Sequence, residues 1–381
     1  MVRLKKKAAF LLALILFFVS IPVKASHTIS AASYILIEAS TGRVLAAKEE
    51  DTRRPIASTT KIMTALLALE EENNRARFIV DSEAIKVEGT SMGLQEGDEV
   101  SLYDLAGGML SASGNDGANA AAVQIAGSIE AFANKMNEKA AALSMTNTHF
   151  VTPSGLHDEQ HYSTAADMAK LARAALKNED FAYLCSQQTV QLHYGNPAYK
   201  RTLSNHNRLL SSYSGCIGVK TGFTKKAGRC LVSAARRNGV TLICVTLNAP
   251  DDWADHTALL DYGFSAVRSR AVSPDVSDVS IPVVGGTGST VQAALLSPGE
   301  TVLTEEEWEH VEREIECYPF LYAPVSRGDL IGFAVYSLEG EEICRIPLVA
   351  CTEVEYDNTA YQPSFWEKIV TFFKEHIRFL N

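Results

Sequence analysis

The chain has 381 residues, of which 46% are hydrophobic and 21% charged, and its formal net charge is −10. The length exceeds one typical domain and predicts two, and the hydrophobic fraction is ordinary for a globular protein with a buried core. Because a nucleic-acid partner calls for a basic face, the negative balance excludes phosphate-backbone binders, and we expect no nucleic-acid partner.

The first 25 residues have the pattern of a signal peptide. Basic residues at positions 3 and 5–7 precede an apolar run over 8–19, and Pro22 follows it. Val23-Lys24-Ala25 then offers small residues at the positions that a signal peptidase reads. The run is shorter than the roughly 20 residues of a bilayer span, so an uncleaved anchor is the weaker alternative. We predict that 1–25 is removed and that the mature protein is exported beyond the cytoplasmic membrane.

Residues 26–271 predict a first domain of strands and helices. Two strands surround a turn at Ser40-Thr41-Gly42, and the helix after Pro55 is apolar on nearly all sides, which is typical of a buried helix. Alanine-rich stretches predict helices over 102–125, 128–143 and 164–176, and a last helix covers 252–267. Strands over 215–224, 229–235 and 240–247 follow the helical block, and Asn238-Gly239 predicts a hairpin. The pattern favours one antiparallel sheet, made from distant parts of the chain and packed on a helical cluster.

Residues 272–355 predict a separate small all-β domain. The composition changes after Arg270, and later segments alternate like half-buried strands. No constellation of titratable side chains stands out here, so we expect this domain to position rather than to catalyse. The seven cysteines are an odd number without a CxxC pair, which predicts neither a disulfide framework nor a zinc site. We expect free thiols and neither a metal nor a cofactor.

The last segment, 363–381, predicts an amphipathic helix. Ser364 and Glu367 form a capping box at its start. The helix then carries an apolar arc, listed here with its two edge positions: Phe365, Trp366, Ile369, Val370, Phe373, Ile377 and Leu380, with Phe372 and Phe379. One alternative is a helix that packs on its own domain. We favour a helix at the membrane interface, because it ends the chain and is rich in aromatic residues.

Ser58 and Lys61 form the first motif with chemical meaning. A serine hydroxyl needs a neighbouring base to become a nucleophile, and positions i and i+3 lie on one face of a helix. A lysine in an apolar helix has a lowered pKa, because burial disfavours the cation, and the helix N-terminus can stabilise an oxyanion. An SxxK pattern alone also fits an ordinary helix start.

Two further motifs are weak when taken singly. Ser113-Gly114-Asn115 precedes a helix and by itself fits a serine N-cap. Lys220-Thr221-Gly222 lies in an apolar strand, where a charge indicates a cleft. Its glycine allows a second backbone to come close, and an edge strand of this kind can pair with a peptide.

The order of these motifs carries a family resemblance. SxxK, SDN and KTG are a signature of class A β-lactamases and penicillin-binding proteins, and this chain carries SxxK, SGN and KTG in the same order. Over 32–355, with ASTTKIMTALLALE, LAGGMLSASGNDGANAAA, FVTPSGLHD and GVKTGFTKKAGRCLV, the chain resembles the low-molecular-mass penicillin-binding proteins that are serine-type D-alanyl-D-alanine carboxypeptidases. The resemblance implies an α+β fold: a β-lactamase/transpeptidase-like catalytic domain, a small β domain and a C-terminal amphipathic helix at the membrane.

The resemblance also implies roles. Ser58 would attack the carbonyl between two D-alanines of a peptidoglycan pentapeptide, Lys61 would take its proton, and Ser113 would relay one to the leaving D-alanine. Asn115, Lys220, Thr221, Gly222 and Phe223 would bind the substrate, and the backbone N–H groups of Ser58 and Phe223 would form the oxyanion hole. β-Lactams would acylate Ser58 and leave slowly. Arg208 and Arg229 are both candidates for a second residue that binds the substrate carboxylate, and the sequence does not decide between them.

Two other functions compete with this interpretation. A class A-like β-lactamase would need a glutamate-activated water, and no ExxLN-like element lies between Asn115 and Lys220. Here the second motif is also SGN rather than SDN. A catalytically silent cell-wall scaffold protein predicts damaged motifs, whereas all three are intact.

Overall fold

The structure is a computed structural model that describes residues 28–357 and 364–376, with the side chains of 373–376 left aside. The predicted signal peptide, 1–25, and the end of the predicted C-terminal helix, 377–381, lie outside the described residues.

Among the residues that the structure describes, the first domain contains nine strands and eight α-helices, numbered here along the chain. The strands are β1 Ser33–Glu38, β2 Val44–Lys48, β3 Arg77–Ile79, β4 Glu99–Ser101, β5 Thr189–Gly195, β6 Ala198–Ser204, β7 Cys216–Thr224, β8 Gly228–Arg237 and β9 Val240–Leu247. The helices are α1 Lys61–Glu70, α2 Leu102–Ser111, α3 Asn115–Ala126, α4 Ile129–Ala142, α5 Ala165–Ala175, α6 Glu179–Ser186, α7 Leu209–Ser212 and α8 Asp252–Ala266.

The central sheet joins the two ends of this domain, as predicted. Its order is β2-β1-β9-β8-β7, and every pairing is antiparallel. Ile35 of β1 lies opposite Val245 of β9, although they are far apart in sequence. The predicted hairpin between β8 and β9 is confirmed. Asn238 and Gly239 both have positive φ, 48° and 80°, as its tight turn requires.

The helical cluster differs from the prediction at one point. α1 is buried on nearly all sides, as predicted, but the stretch 102–125 is divided into α2 and α3. Ser113 has a φ of 61° and Gly114 is the N-cap of α3, so the chain turns sharply between the two helices. Short strands β3 and β4 pair with the hairpin β5–β6 in a second sheet that the sequence analysis missed.

The second domain has eight strands and its own core. The strands are β10 Arg268–Val272, β11 Ser280–Val284, β12 Thr290–Leu295, β13 Gly299–Leu303, β14 Glu312–Cys317, β15 Leu321–Tyr322, β16 Leu330–Leu338 and β17 Glu341–Ala350, with a one-turn helix α9 Glu305–Trp308. Six of them form one sheet, β14-β16-β17-β12-β11-β15, and β10 pairs with β13. Its core runs from Val272 to Val354. Arg43 of the first domain donates to the Val302 carbonyl (2.7 Å) and pairs with Glu307.

The helix α10, Phe365–His376, begins as predicted. The Ser364 N–H donates to a Glu367 carboxylate oxygen (2.8 Å), and the Glu367 N–H donates to Ser364 Oγ (3.3 Å), which completes the capping box. Within residues 28–357 and 364–376, no helix combines the length and the apolarity that crossing a bilayer requires.

Candidate active site

Ser58 lies in a 3-10 turn, Ala57–Thr60, that leads directly into α1. Lys61 is the first residue of α1, so the two side chains meet across one turn, and Lys61 Nζ lies 2.9 Å from Ser58 Oγ. Ser58 is partly exposed, whereas Lys61 is fully buried. The local helical spacing therefore gives the contact that the SxxK pattern predicts.

The surroundings of Lys61 favour a neutral amine. Nζ donates to Asn115 Oδ1 (2.7 Å) and to the Ser154 carbonyl (2.6 Å). The pKa of Lys61 is lowered well below its ordinary value, first by burial and then by the charge of Lys220, against the opposing carboxylate of Asp116. A neutral amine has two N–H groups, which these two carbonyl oxygens satisfy. Its lone pair is then left for the hydroxyl proton of Ser58.

Asn115 and Asp116, at the start of α3, fix one wall of the cleft. Asn115 Nδ2 donates to the Glu88 carbonyl (2.6 Å) while its Oδ1 holds Lys61. Asp116 accepts hydrogen bonds from Ser91 Oγ (2.5 Å) and from backbone N–H groups of the same segment, among them that of Met92 (2.9 Å). Asp116 was not predicted from the sequence, because an acidic residue in a first helical turn is common.

Ser113 occupies the break between α2 and α3. The interpretation of Ser113 as an N-cap is wrong, because Gly114 takes that position and makes no side-chain cap. Thr90 Oγ1 donates to the Ser113 carbonyl (2.6 Å), which holds this left-handed residue against the 88–94 segment. Ser113 and Ser58 line the same cleft.

Strand β7 forms the opposite wall. Lys220 is 1% exposed, and its Nζ donates to the Thr221 carbonyl (2.8 Å). Burial lowers the pKa of Lys220 to about 7. A Cβ at Gly222 would lie 3.1 Å from Ser58 N, so the glycine lets β7 approach the nucleophile turn closely. Phe223 is 64% exposed at the rim.

Gly155 lies against the turn that carries Ser58, and it was not predicted from the sequence. Its φ is +80°, and a Cβ there would lie 2.0 Å from the Ala57 carbonyl oxygen. The only local signal is a glycine in a Pro-Ser-Gly turn, which many loops contain.

We expect Gly155→Ala to lower both stability and acylation. A left-handed alanine costs about 1–2 kcal/mol through its backbone alone, and the contact with Ala57 must also displace the turn that carries Ser58. Gly127→Ala is a matched control, since Gly127 has a φ of +77° with nothing within 4 Å of the added carbon. Thermal unfolding should show a similar backbone cost in both variants, whereas penicillin acylation should be slower only in Gly155→Ala. Equal acylation rates in the two variants would contradict this prediction.

The predicted residues converge on one cleft of about 420 Å³. Its lining includes Ser58, Ser113, Asn115, Thr221, Gly222 and Phe223. The two lysines are buried behind it. Both candidate arginines also line the cleft: Arg229 is paired with Asp252 (2.7 Å), and Arg208 is exposed. The roles of these residues stay predictions.

Known families match both domains. The family described as D-alanyl-D-alanine carboxypeptidase matches residues 20–251, and the one described as penicillin-binding protein 5, C-terminal domain, matches residues 273–356. The chain is 34% identical over 331 residues to the D-alanyl-D-alanine carboxypeptidase DacF of Bacillus subtilis. This alignment covers 84% of this chain and 85% of that protein. It is 32% identical to the carboxypeptidase DacC of Escherichia coli, over 86% of this chain and 85% of that one.

Solved structures agree with these relatives. Penicillin-binding protein 5 from Haemophilus influenzae aligns with a TM-score of 0.66 at 27% identity, over 86% of this chain and 98% of that one. The DD-transpeptidase of Streptomyces K15 aligns with a TM-score of 0.60 at 34% identity, over 63% of this chain and 99% of that one. Together with the cleft, these matches assign the chain plainly: it belongs to the D-alanyl-D-alanine carboxypeptidase family of penicillin-binding serine peptidases.

Proposed function

We propose that this chain removes the terminal D-alanine from peptidoglycan stem peptides through an acyl-enzyme on Ser58. One observation carries the proposal: Lys61 Nζ lies 2.9 Å from Ser58 Oγ while its other two contacts are carbonyl oxygens. A buried amine held in this way is a general base aimed at a single hydroxyl.

The reaction then proceeds in two halves. The Ser58 hydroxyl proton passes to Lys61 as Oγ bonds to the carbonyl carbon between the two D-alanines, and the C–N bond breaks when the leaving amine receives a proton by way of Ser113. By similarity, the backbone N–H groups of Ser58 and Phe223 stabilise the oxyanion. Water next attacks the ester, which restores Ser58 and releases the shortened peptide.

The terminal carboxylate of the substrate calls for positive charge at the β7 wall. Lys220 and Thr221 supply a cation and a hydroxyl there. Arg229 is already paired with Asp252 (2.7 Å) and lies over the Trp253 ring (5.5 Å to its centroid). Arg208, exposed at the cleft, is therefore the better candidate for a second carboxylate contact.

β-Lactams should acylate Ser58 and remain bound. A class A-like β-lactamase would need a carboxylate to activate the deacylating water, and among the described residues that line the cleft the only carboxylate is Asp252, which Arg229 neutralises. Labelled penicillin and diacetyl-Lys-D-Ala-D-Ala separate the functions. A carboxypeptidase traps the drug and releases D-alanine, a lactamase destroys the drug, and a silent scaffold does neither.

We also propose that the mature protein is exported and held on the outer face of the cell membrane by α10. The support is the signal-peptide pattern of 1–25, together with an apolar face that is exposed in α10: Phe365, Trp366, Val370 and Phe372 are 73%, 72%, 50% and 57% exposed. Aromatic residues of this kind favour the interface between lipid and water.

The membrane proposal has a direct test. The mature chain, from residue 26, should float with phospholipid vesicles, and Phe365→Ser/Trp366→Ser should lower the bound fraction severalfold while penicillin acylation stays unchanged. Glu375→Ser is a control on the same segment. Equal flotation of the double variant and the unmodified chain would overturn the proposal.

A further inference from the structure

His161 is a buried histidine whose two ring nitrogens are both engaged. Its Nδ1 accepts from the backbone N–H groups of Val151 (3.0 Å) and Thr152 (3.2 Å), and its Nε2 lies 2.8 Å from Thr60 Oγ1. The ring packs edge-on against Phe150, with centroids 5.7 Å apart. His161 is 3% exposed and does not line the catalytic cleft.

These contacts decide the tautomer. A nitrogen that accepts two N–H groups carries no proton, so the proton of the neutral ring lies on Nε2 and is donated to Thr60 Oγ1. Burial lowers the pKa of His161 to about 4, against the opposing charge of Asp158, so the ring is neutral at pH 7. The Thr60 hydroxyl continues this run of hydrogen bonds, because it donates to the Ala57 carbonyl (2.8 Å).

At one end, these hydrogen bonds reach the turn Ala57–Thr60, which carries Ser58. Ala57 precedes Ser58 and has a φ of 48°, a backbone conformation that a non-glycine residue adopts at a cost. Its carbonyl is held by Thr60 within the turn and by His161 through Thr60. The imidazole therefore restrains the turn without touching the serine.

At the other end, the hydrogen bonds of His161 reach the loop whose Ser154 carbonyl accepts from Lys61, the general base. His161 accepts from the backbone of Val151 and Thr152, and the same segment continues into Pro153 and Ser154. The Pro153 carbonyl accepts from Thr64 Oγ1 (2.6 Å), and the Ser154 carbonyl accepts from Lys61 Nζ (2.6 Å). A shift of this segment would move the carbonyl that orients the amine.

We propose that His161 is a positioning residue for the acylation of Ser58: as a neutral imidazole it links the Ser58 turn to the loop that orients Lys61. The inference rests on the proposed acyl-enzyme function. Nucleophile and base are sensitive to displacements of about 1 Å, which can cost on the order of 100-fold in rate, so the link should affect the chemical step rather than binding.

His161→Phe removes both polar contacts and keeps a ring beside Phe150. Stopped-flow acylation with a fluorescent penicillin separates the binding constant K from the acylation rate constant k2. We expect k2 to fall about 10- to 100-fold, with K within threefold of the unmodified chain. A folded His161→Phe variant with unchanged k2, or a loss confined to K, would overturn the inference.

Two conservative variants test the two sides of this hydrogen-bonded link separately. His161→Asn keeps an acceptor near the position of Nδ1 but loses the donor to Thr60. His161→Gln keeps a donor near the position of Nε2 but loses the acceptor for the backbone N–H groups of Val151 and Thr152. Each should recover part of k2 relative to His161→Phe. If neither recovers any of it, the hydrogen bonds do not carry the effect and the inference fails.

His256 provides a matched control for general destabilisation. It is fully buried, with its Nδ1 2.6 Å from Ser233 Oγ and its Nε2 2.9 Å from Thr246 Oγ1, and it does not line the cleft. His256→Phe should lower the melting temperature and leave k2 within twofold. Equal losses of k2 in both phenylalanine variants would overturn the specific role of His161.

A further variant, at Thr60, tests the same link if His161→Phe does not fold. Thr60→Val breaks the same link with a side chain of the same shape, and it should lower k2 as His161→Phe does; an unchanged k2 in Thr60→Val would count against the inference. Absence of any adduct in the unmodified chain would instead refute the proposed function.

Discussion

Ser58→Ala is expected to abolish covalent labelling by penicillin and to lower D-alanine release by a factor on the order of 10⁵ or more, as loss of a nucleophile does in other serine hydrolases. The physical reason is that the acyl-enzyme needs an oxygen at this position. Ser113 cannot replace it, because Lys61 Nζ lies 2.9 Å from Ser58 Oγ and, among the described residues, Ser58 carries the only hydroxyl that hydrogen-bonds to that amine. Intact-mass spectrometry after incubation with the drug measures the adduct directly.

The matched control is Ser265→Ala. Ser265 is an exposed serine near the end of α8, and its hydroxyl donates to the Tyr262 carbonyl (2.7 Å). This variant should label as the unmodified chain does. A stable β-lactam adduct on Ser58→Ala would remove the basis for the proposed mechanism.

Lys61→Met is expected to slow acylation by about 10²- to 10⁴-fold, the usual contribution of a general base. Methionine has a similar length and suits an apolar site, so the fold should persist. The substitution leaves Asn115 Oδ1 and the Ser154 carbonyl without the donor that they share. Circular dichroism should report a folded protein, and single-turnover labelling should report the slow step. Labelling at the unmodified rate would show that another group takes the proton.

The pH profile of kcat/KM gives an independent check on the two lysines. The lowered pKa of Lys61 means that its neutral, basic form appears as pH rises through that pKa, so the rate climbs with pH. Lys220 has a pKa of about 7 and is cationic below it, so its attraction for a substrate carboxylate declines above pH 7. Together these changes predict a bell-shaped profile.

Lys220→Met tests the assignment of the two limbs. It should remove the descending limb, since the group that loses its charge is gone. It should also move the ascending limb to higher pH, because the charge of Lys220 is one cause of the lowered pKa of Lys61. An unchanged profile would mean that other groups titrate.

Local patterns were sufficient for much of this molecule. The Ser58–Lys61 contact follows from helical spacing, the β8–β9 hairpin from Asn238-Gly239, and the start of α10 from the capping box of Ser364. Each depends on residues within a few positions of one another, where backbone geometry leaves few alternatives. Strands β3 and β4 of the second sheet escaped prediction because they have only three residues each, too few for a clear alternation.

By itself, the sequence determined the motifs and their order, and it placed the first at a helix start and the third on a strand, because those features depend on near neighbours. Only the tertiary structure decided which distant groups meet. Lys61 bonds Asn115 across 54 positions and the Ser154 carbonyl across 93. A carbonyl acceptor has no sequence signature, since every residue carries one. The link through His161 is hidden for the same reason: its partners are mainly backbone groups that only folding brings together.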